Sequence, residues 1–338
     1  MCSSASRKPR VLVIGWGFIG EALGQRLADE GVAVAGLTRS ETPRTAAARV
    51  RGIRVTIGDA TQPAVLADAL AGVDHVLYGA GGLLPPSAAE RPLDDLRGTL
   101  SPVISTLEAL RRRPGVGLTY LSSGGTIYGN PVRIPVRETD PVRPISAYGV
   151  SRLSGELYAQ MYAMTFGVPV QIVRCANVYG PGQKHDRTQG AVAVFLHRIA
   201  AGLPITILGD GSAVRDFVFI GDVSRALCRM ITDQLDVGVV NIGSGHGHTV
   251  TEVVGLVSGV VGRPALIEYQ PRRRHDVDAV VLDVSRLRSF LPYAPVKLHD
   301  GLRTTWSAQQ EAIPTSLREP SAHVKTRPDA LTERGRHT

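Results

Sequence analysis

A tyrosine and an arginine stand four residues apart in the segment Tyr148-Gly-Val-Ser-Arg152. On a helix, residues i and i+4 share one face, so both side chains could act on the same ligand. A nearby positive charge favours the phenolate form of a tyrosine, and a phenolate can remove the proton of an alcohol as a general base. Tyr148 is therefore a candidate base assisted by Arg152. Because tyrosine and arginine also share helix faces by chance, this interpretation depends on the elements around them.

A glycine-rich segment near the start of the chain predicts a phosphate-binding loop. Its residues are Gly15, Trp16, Gly17, Phe18, Ile19 and Gly20. The segment follows a predicted strand over 10–14 and opens a helical pattern, which is the context of a dinucleotide-binding fingerprint. The glycines permit a tight turn and close backbone approach, and the helix N-terminus attracts a pyrophosphate. We expect Gly15, Gly17, Phe18, Ile19 and Gly20 to bind NAD or NADP.

The residues after the second predicted strand bear on the choice of cofactor. NAD sites usually place an Asp or Glu there to bind the adenosine ribose, whereas this chain has Leu37-Thr-Arg39-Ser40. Arg39 and Ser40 could bind a 2′-phosphate, although Arg39 could equally be a solvated cation. Asp59, after the third predicted strand, is placed to accept a hydrogen bond from the adenine amino group. Ala80, after the fourth, is a further candidate cofactor contact.

The pattern of strands and helices predicts the architecture. Apolar runs over 32–37, 53–57, 74–78, 118–123, 168–173 and 237–242 read as further strands, and helical patterns run over 64–71, 100–112 and from Tyr148 to about Phe166, with Gly167 as C-cap. Such alternation predicts an α/β fold with a Rossmann-type doubly wound parallel sheet. We expect an NAD(P)-binding domain over 9–176 with return elements at about 212–244. A smaller C-terminal substrate-binding lobe would comprise 177–211 and 245–310, and 311–338 would form a disordered tail.

Composition excludes several other classes. The 338 residues are 43% hydrophobic with a net charge of +8, and they contain no apolar run near the ~20 residues that span a bilayer, so no membrane partner is expected. Aromatic residues make up 5% of the chain and do not alternate with basic ones, which argues against a nucleic-acid partner. The three cysteines are unclustered, which predicts neither a metal site nor a disulfide framework and favours the cytoplasm.

Together these motifs resemble the extended short-chain dehydrogenase/reductases, and within them the NAD-dependent epimerase/dehydratase family. The resemblance covers roughly residues 10 to 305. Besides the glycine loop and the tyrosine motif, it rests on Ser122-Ser-Gly-Gly-Thr-Ile-Tyr-Gly129, Gly155-Glu156, Asn177-Val-Tyr-Gly-Pro181, Gly209-Asp-Gly211, Arg215-Asp-Phe-Val-Phe219, Asp222-Val223 and Asn241-Ile-Gly243. It implies a homodimeric nucleotide-sugar epimerase of the UDP-glucose 4-epimerase kind, which acts through a 4-keto intermediate with bound NAD(P).

The resemblance also implies roles for individual residues. Tyr148 would take the proton from a sugar hydroxyl, and a hydroxyl at the end of the fifth strand, from Ser123 or Thr126, would hydrogen-bond the reacting oxygen. The positions that hold the nucleotide diphosphate in the family correspond to Asn177, Arg215 and Arg273. Arginine suits that role because its planar fork pairs with phosphate oxygens.

Three positions depart from the family pattern. Ile14 stands where the glycine loop often begins with an extra glycine, Gly124 where the catalytic Ser or Thr usually lies, and Arg152 where the family has lysine. Arginine keeps the charge but is longer and forked, so the change from lysine is not conservative.

Two alternatives to an epimerase remain open at this stage. One is an NADPH-dependent nucleotide-4-keto-sugar reductase, which Arg39 would favour. The other is a catalytically degenerate NAD(P)-binding protein, which Gly124 and Arg152 would favour. A dehydratase is disfavoured, because those members resemble Thr-Asp-Glu where this chain has Gly124-Gly-Thr126.

Overall fold

The computed structural model of the chain describes residues 7–185, 190–273 and 275–312. In chain order its elements are β1 (Val11–Ile14), α1 (Phe18–Asp29), β2 (Val34–Thr38), α2 (Pro43–Val50), β3 (Arg54–Ile57), α3 (Pro63–Ala69), β4 (His75–Tyr78), α4 (Pro85–Glu90), α5 (Pro92–Leu110), β5 (Gly117–Ser123), α6 (Gly124–Ile127), α7 (Ala147–Phe166), β6 (Val170–Cys175), β7 (Asn177–Tyr179), α8 (Ala191–Ala200), β8 (Ile205–Leu208), β9 (Val214–Phe219), α9 (Ile220–Thr232), β10 (Val239–Ile242), β11 (Gly247–Thr249), α10 (Val250–Val261), β12 (Ile267–Gln270), β13 (Ala279–Val280), α11 (Ser285–Phe290) and α12 (Leu298–Ala312).

Seven strands form one parallel sheet in the order β10-β6-β5-β4-β1-β2-β3. From β1, the next two strands, β2 and β3, are added toward one edge of the sheet. The chain then returns to form β4 on the other side of β1, and the later strands are added toward the opposite edge. The connections therefore diverge between the carboxyl ends of β1 and β4, where doubly wound sheets open a ligand crevice. The predicted Rossmann-type sheet is confirmed.

The central strands are buried on both faces, which explains why β1 reads as an unbroken apolar run, whereas the edge strand β3 is partly exposed. Alternate residues of β1 enter opposite cores, as strand geometry requires. Val11 and Val13 pack in a cluster with Leu23 of α1, whereas Leu12 lies in a separate cluster with Leu107 of α5. The helices on the two faces thus hold the carboxyl edge of the sheet in place from both sides.

The remaining strands form two smaller sheets. In one, β9 pairs in parallel with β7 and β13 and antiparallel with β11. In the other, β8 pairs in parallel with β12. Side chains of α8, α10 and α12 pack with these strands in a third core. The return strand β10 joins the main sheet, but β9 does not.

The helix that carries the tyrosine motif has defined ends. At its start, the Gly149 N–H donates to the Ser146 hydroxyl at 3.1 Å, an N-cap. At its end, Gly167 has φ 68°, the left-handed conformation that favours glycine as a C-cap. The predicted C-cap is confirmed. No helix in the three described ranges is long and apolar enough to cross a membrane. The predicted tail, 311–338, begins two residues too early, because α12 continues to Ala312, and the rest of it lies outside those ranges.

Candidate functional site

The glycine loop between β1 and α1 has space for a pyrophosphate. Gly15 has φ 99°, and a Cβ there would lie 2.5 Å from the Ala80 backbone nitrogen, so a larger residue would clash with the residues after β4. A Cβ on Gly20 would lie 2.2 Å from the Gly15 carbonyl oxygen. Around the Cβ position of Gly17, the N-cap of α1, no heavy atom of the described residues lies within 4 Å apart from its chain neighbours. The N-terminus of α1 therefore faces open space, which fits a dinucleotide phosphate.

Trp16 supports this loop from below. Its side chain is buried between α1 and β2, where a Cβ on Gly24 would lie 2.3 Å from the indole and a Cβ on Gly36 2.6 Å from it. The ring thus fills the space that two glycines leave open. The glycine spacing alone does not predict this role, although a tryptophan inside a glycine loop marks a packing position.

The adenosine side of the crevice lies beyond β2 and β3. Arg39 is exposed directly after β2. Near it, Asp59 accepts two hydrogen bonds at Oδ1, from the backbone N–H and the hydroxyl of Thr61, at 2.8 and 2.9 Å. These bonds, with a smaller contribution from the Arg39 charge, lower the pKa of Asp59. The other carboxylate oxygen is thus an ionised acceptor, as a contact to an adenine amino group requires.

Tyr148 and Arg152 lie on one face of α7, as their spacing predicts. The Arg152 guanidinium carbon is 5.0 Å from the centre of the Tyr148 ring, and its Nη1 donates to the Ala80 carbonyl at 3.2 Å. A Cβ on Gly81 would lie 1.9 Å from Nη2, so this glycine makes room for the longer side chain. Arg152 therefore connects the candidate base to the β4 loop that forms one wall of the crevice.

The Arg152 side chain is buried and keeps its charge. Burial disfavours the charged form, but the phenol oxygens of Tyr148 and two neighbouring tyrosines outweigh that effect, and the pKa of Arg152 lies above its ordinary value. Within the described ranges, its Nε has no hydrogen-bond partner. An unpaired buried donor costs free energy unless a ligand or water satisfies it. A bound ribose, with its hydroxyl acceptors, would meet this requirement.

The candidate hydroxyl groups lie near the tyrosine. Ser123 ends β5 and precedes α6, and the Thr126 hydroxyl donates to the Ser123 carbonyl at 3.3 Å. A Cβ on Gly149 would lie 3.1 Å from the Thr126 carbonyl oxygen, so α6 packs against the first turn of α7. The structure therefore brings Ser123 and Thr126 to the end of α7 that carries Tyr148.

Leu282 explains why Gly124 departs from the family pattern. A Cβ on Gly124 would lie 2.7 Å from Leu282 Cδ1 and 3.2 Å from the Arg174 carbonyl oxygen. Leu282 is fully buried, so it fills the space that a serine side chain would need. The position therefore has no room for a hydroxyl unless Leu282 moves.

A buried ion pair anchors α7 to the sheet. Arg174 Nη2 lies 2.7 Å from Glu156 Oε2, and both side chains are almost fully buried. Arg174 Nη1 also donates to the Tyr128 hydroxyl at 3.0 Å, and that hydroxyl donates to Asn241 Oδ1 at 2.9 Å. Glu156 lies one turn beyond Arg152, so this network fixes the helix that carries the base. Arg174 belongs to none of the sequence motifs, although an arginine near the end of a buried strand needs a buried partner.

The candidate diphosphate-binding residues belong to the smaller sheet and its loops. Asn177 Nδ2 donates to the Asp216 carbonyl at 3.0 Å, which joins β7 to β9. Arg215 Nη2 donates to the Val277 carbonyl at 2.6 Å, and burial lowers the pKa of Arg215. A bound anion would offset that burial. Arg273 is exposed. In the described ranges, no group of three His, Cys, Asp or Glu side chains could hold a metal ion.

Comparison with known proteins identifies the family. The family model described as NAD dependent epimerase/dehydratase family matches residues 11–243. UDP-glucose 4-epimerase from Mycolicibacterium smegmatis is 32% identical over 305 residues, which cover 88% of this chain and 97% of the relative. A dTDP-4-dehydro-6-deoxy-D-allose reductase from a Streptomyces species is 31% identical over 315 residues, covering 87% of this chain and 94% of the reductase.

A solved structure gives the same assignment. The crystal structure of UDP-glucose 4-epimerase from Thermus thermophilus in complex with NAD superimposes with a TM-score of 0.82 at 32% identity, covering 90% of this chain and 100% of the other. The sequence-based assignment is confirmed, since the family model matches residues 11–243 and the fold superimposes on that of an epimerase. The chain belongs to the NAD-dependent epimerase/dehydratase family.

Proposed function

We propose that this protein is a nucleotide-sugar epimerase that uses NAD or NADP and acts through a 4-keto intermediate. The observation that carries the proposal is the position of Arg152, which faces the Tyr148 ring while it donates to the Ala80 carbonyl in the crevice wall. The candidate base is thereby held beside the dinucleotide loop. The similarity to two UDP-glucose 4-epimerases along most of the chain supports the same reaction.

Side chains of the protein would carry out the proton transfer. Tyr148 would remove it from the sugar 4-hydroxyl, and the charge of Arg152 would stabilise the resulting phenolate. Ser123 or Thr126 would hydrogen-bond the reacting oxygen and fix its position. When bound, the nicotinamide supplies the hydride acceptor and later the hydride donor. The keto sugar would turn over between the two transfers and present its other face, which inverts the centre, and Tyr148 would return the proton to the 4-oxygen.

The smaller lobe would hold the nucleotide diphosphate. Asn177, Arg215 and Arg273 come from β7, β9 and the loop before β13, on the elements that pack beside the main sheet. Anchoring the diphosphate there would let the sugar rotate while the substrate remains bound. We propose on this basis that 177–211 and 245–310 act as the substrate lobe, and 9–176 with 212–244 as the cofactor domain.

A second candidate function is a 4-keto-sugar reductase that consumes NADPH. Two observations favour it: the exposed Arg39 after β2, which suits a 2′-phosphate, and the similarity to the Streptomyces reductase. It would use the same base and crevice, with Tyr148 acting as the proton donor.

We also propose that the protein forms a homodimer through α5 and α7, which pack side by side on one face of the sheet. Large apolar side chains are exposed on their outer surface, namely Leu93, Leu96, Val150, Leu157, Tyr158, Met161 and Met164. On α7 they recur at spacings of three, four and seven residues, which makes one stripe. Apolar patches of this kind mark interfaces, and a second copy would cover the stripe with its own.

The buried free thiols of Cys175 and Cys228 fit a reducing cytoplasm.

The test is a product assay on UDP-, dTDP-, GDP- and CDP-sugars with the purified protein. An epimerase interconverts a sugar and its 4-epimer with no net change in NAD(P)H absorbance. Stoichiometric NADPH oxidation with a 4-keto sugar would instead establish the reductase. Cofactor binding with no turnover of any substrate would contradict both enzymes.

A further inference from the structure

The arginines that follow β2 differ in what they bind. Arg44 pairs with Glu21 of α1 and donates to the Gly182 carbonyl, and its side chain is mostly buried. Arg49 pairs with Glu41 through both of its terminal nitrogens. For Arg39, no acceptor lies within hydrogen-bonding distance in the described part of the chain, and its side chain is exposed. Of these three cations, Arg39 alone is available for a ligand.

The backbone places Arg39 at the edge of the dinucleotide crevice. The Gly15 N–H donates to the Leu37 carbonyl at 2.8 Å, which joins the end of β2 to the glycine loop. The Gly58 N–H donates to the Thr38 carbonyl at 2.9 Å, which joins it to the end of β3. Arg39 is the next residue, and its charge acts on Asp59. It therefore lies between the phosphate loop and the proposed adenine contact, where the adenosine ribose of a dinucleotide would be.

The nearest carboxylate in the sequence is paired with an arginine of α2. Glu41 Oε2 lies 3.1 Å from Arg49 Nη2, and the Thr45 hydroxyl donates to Glu41 Oε1 at 3.2 Å. These contacts hold Glu41 against α2. A free carboxylate near the end of β2 would otherwise accept hydrogen bonds from the ribose hydroxyls of NAD and repel a 2′-phosphate. Among the described residues, the end of β2 thus presents one unpaired cation, and the carboxylate that is nearest to it in the sequence is paired.

We infer that this crevice selects NADP(H) over NAD(H), with Arg39 and Ser40 binding the 2′-phosphate of the adenosine ribose. The inference deepens the proposed function, since it rests on the dinucleotide site proposed there. Arginine binds a phosphate through two parallel charge-assisted hydrogen bonds, and the Ser40 hydroxyl can donate a third. Arg39 is therefore a specificity-determining residue, and Arg49 preserves the specificity by holding Glu41.

The test measures which nucleotide the protein binds, without reference to turnover. Two samples of purified protein, one preloaded with NAD⁺ and one with NADP⁺, are dialysed against equal concentrations of both nucleotides. Dialysis continues until the ratio of bound NADP⁺ to bound NAD⁺ is the same in the two samples. The protein is then denatured, and the released nucleotides are quantified by chromatography. We expect NADP⁺ to be bound in about tenfold excess or more, the effect of one charge-assisted pair. Equal binding, or an excess of NAD⁺, would overturn the inference and leave the epimerase proposal intact. Binding of neither nucleotide would overturn both.

Two variants distinguish a specific contact of Arg39 with the 2′-phosphate from a general effect of the protein's positive charge. Arg39→Ser should lower the bound NADP⁺-to-NAD⁺ ratio about tenfold. The matched control is Arg54→Ser, which removes an exposed arginine at the amino end of β3, opposite the crevice, and should keep the wild-type ratio. An unchanged ratio in Arg39→Ser, or an equal fall in Arg54→Ser, would contradict the assignment.

A second pair of variants tests the role of Arg49. Arg49→Gln releases Glu41 and should lower the NADP⁺ preference, whereas Arg49→Gln combined with Glu41→Gln should restore it. If the double variant stays as low as Arg49→Gln alone, the charge of Glu41 is not what Arg49 controls, and that part of the inference is wrong.

Discussion

The guanidinium carbon of Arg152 lies 5.0 Å from the centre of the Tyr148 ring, and the same guanidinium donates to the Ala80 carbonyl at 3.2 Å. Lysine, the residue that the family pattern leads one to expect, would bring one compact charge to this place. Arginine brings the charge and a fork, and Gly81 leaves space for its second terminal nitrogen. Arg152 therefore orients the tyrosine through contact with the crevice wall as well as through its charge.

Replacing Arg152 separates the charge from the fork. Arg152→Met keeps much of the volume and removes the charge, so we expect kcat to fall by about a hundredfold or more, a typical contribution of assisted acid–base catalysis. Arg152→Lys keeps the charge and loses the fork, so activity should stay within about tenfold of the wild type or rise. Steady-state kinetics on the best nucleotide sugar provide the measurement. A loss in Arg152→Lys as large as that in Arg152→Met would show that the fork itself is required.

A side chain at Gly124 should destabilise the fold. Gly124→Ala places a Cβ against Leu282 Cδ1, so we expect the free energy of unfolding to fall by about 1–3 kcal/mol, as in overpacked cores. Adding Leu282→Val should recover part of that loss, and urea denaturation measures both effects. Gly125→Ala is the neighbouring control, because its Cβ would have ordinary contacts of 3.6 Å or more with Asn177. Equal losses at the two glycines would contradict the packing account.

The parts of the site that the sequence could predict are those set by local geometry. The i, i+4 spacing placed Tyr148 and Arg152 on one helix face, and the glycine spacing placed the phosphate loop between β1 and α1. The apolar pattern does not predict the beginning of α5, because it indicates a helix only from 100, whereas α5 begins at Pro92. Proline is well tolerated in the first turn of a helix, which explains this start.

Contacts between residues distant in the sequence could not be predicted. The pairing of Arg174 with Glu156 joins a strand to the helix before it, and the packing of Leu282 over the Cβ position of Gly124 spans more than 150 residues. Neither follows from periodicity or spacing, since each depends on how complete elements pack. The same holds for Gly81, whose importance is visible only with the Arg152 side chain in place.

The stability of the fold should fall in mild acid because of His75. Burial of its ring against β5 lowers the pKa of His75 to about 4, whereas an unfolded histidine titrates near ~6.5. Between these values the unfolded state binds a proton that the folded state does not, so stability is present above about pH 6.5 and is lost as the pH falls. We expect His75 to account for at most about 2 kcal/mol of the loss between pH 7 and pH 5.

Urea denaturation of the wild type and of His75→Gln across that pH range isolates the effect. Glutamine keeps a polar partner for the Thr119 hydroxyl, which lies 2.8 Å from His75 Nε2. The variant should lose stability less steeply toward low pH. Parallel curves for the two proteins would mean that His75 titrates normally in the folded state.

The oligomeric state should depend on the apolar stripe of α5 and α7. Leu157→Lys places a charge in the middle of that stripe, so a dimer held there should dissociate to a monomer in light scattering at micromolar concentration. Val50→Lys is the control, since Val50 is an equally apolar and highly exposed residue on α2. A wild-type protein that is already monomeric, or a Leu157→Lys variant that remains dimeric, would place the interface elsewhere or exclude it.

The central claim is that Tyr148 moves the proton in a nucleotide-sugar epimerisation, and Tyr148→Phe tests it most directly. The variant removes one oxygen and keeps the aromatic ring beside Arg152. The measurement is interconversion of UDP-glucose and UDP-galactose followed by chromatography, with NAD(P)H absorbance recorded in the same sample and bound nucleotide quantified in both proteins. The wild type should reach the same mixture from either sugar without net change in NAD(P)H, and Tyr148→Phe should bind the nucleotide normally and lose at least about a hundredfold in kcat. Epimerisation by Tyr148→Phe at the wild-type rate would contradict the account.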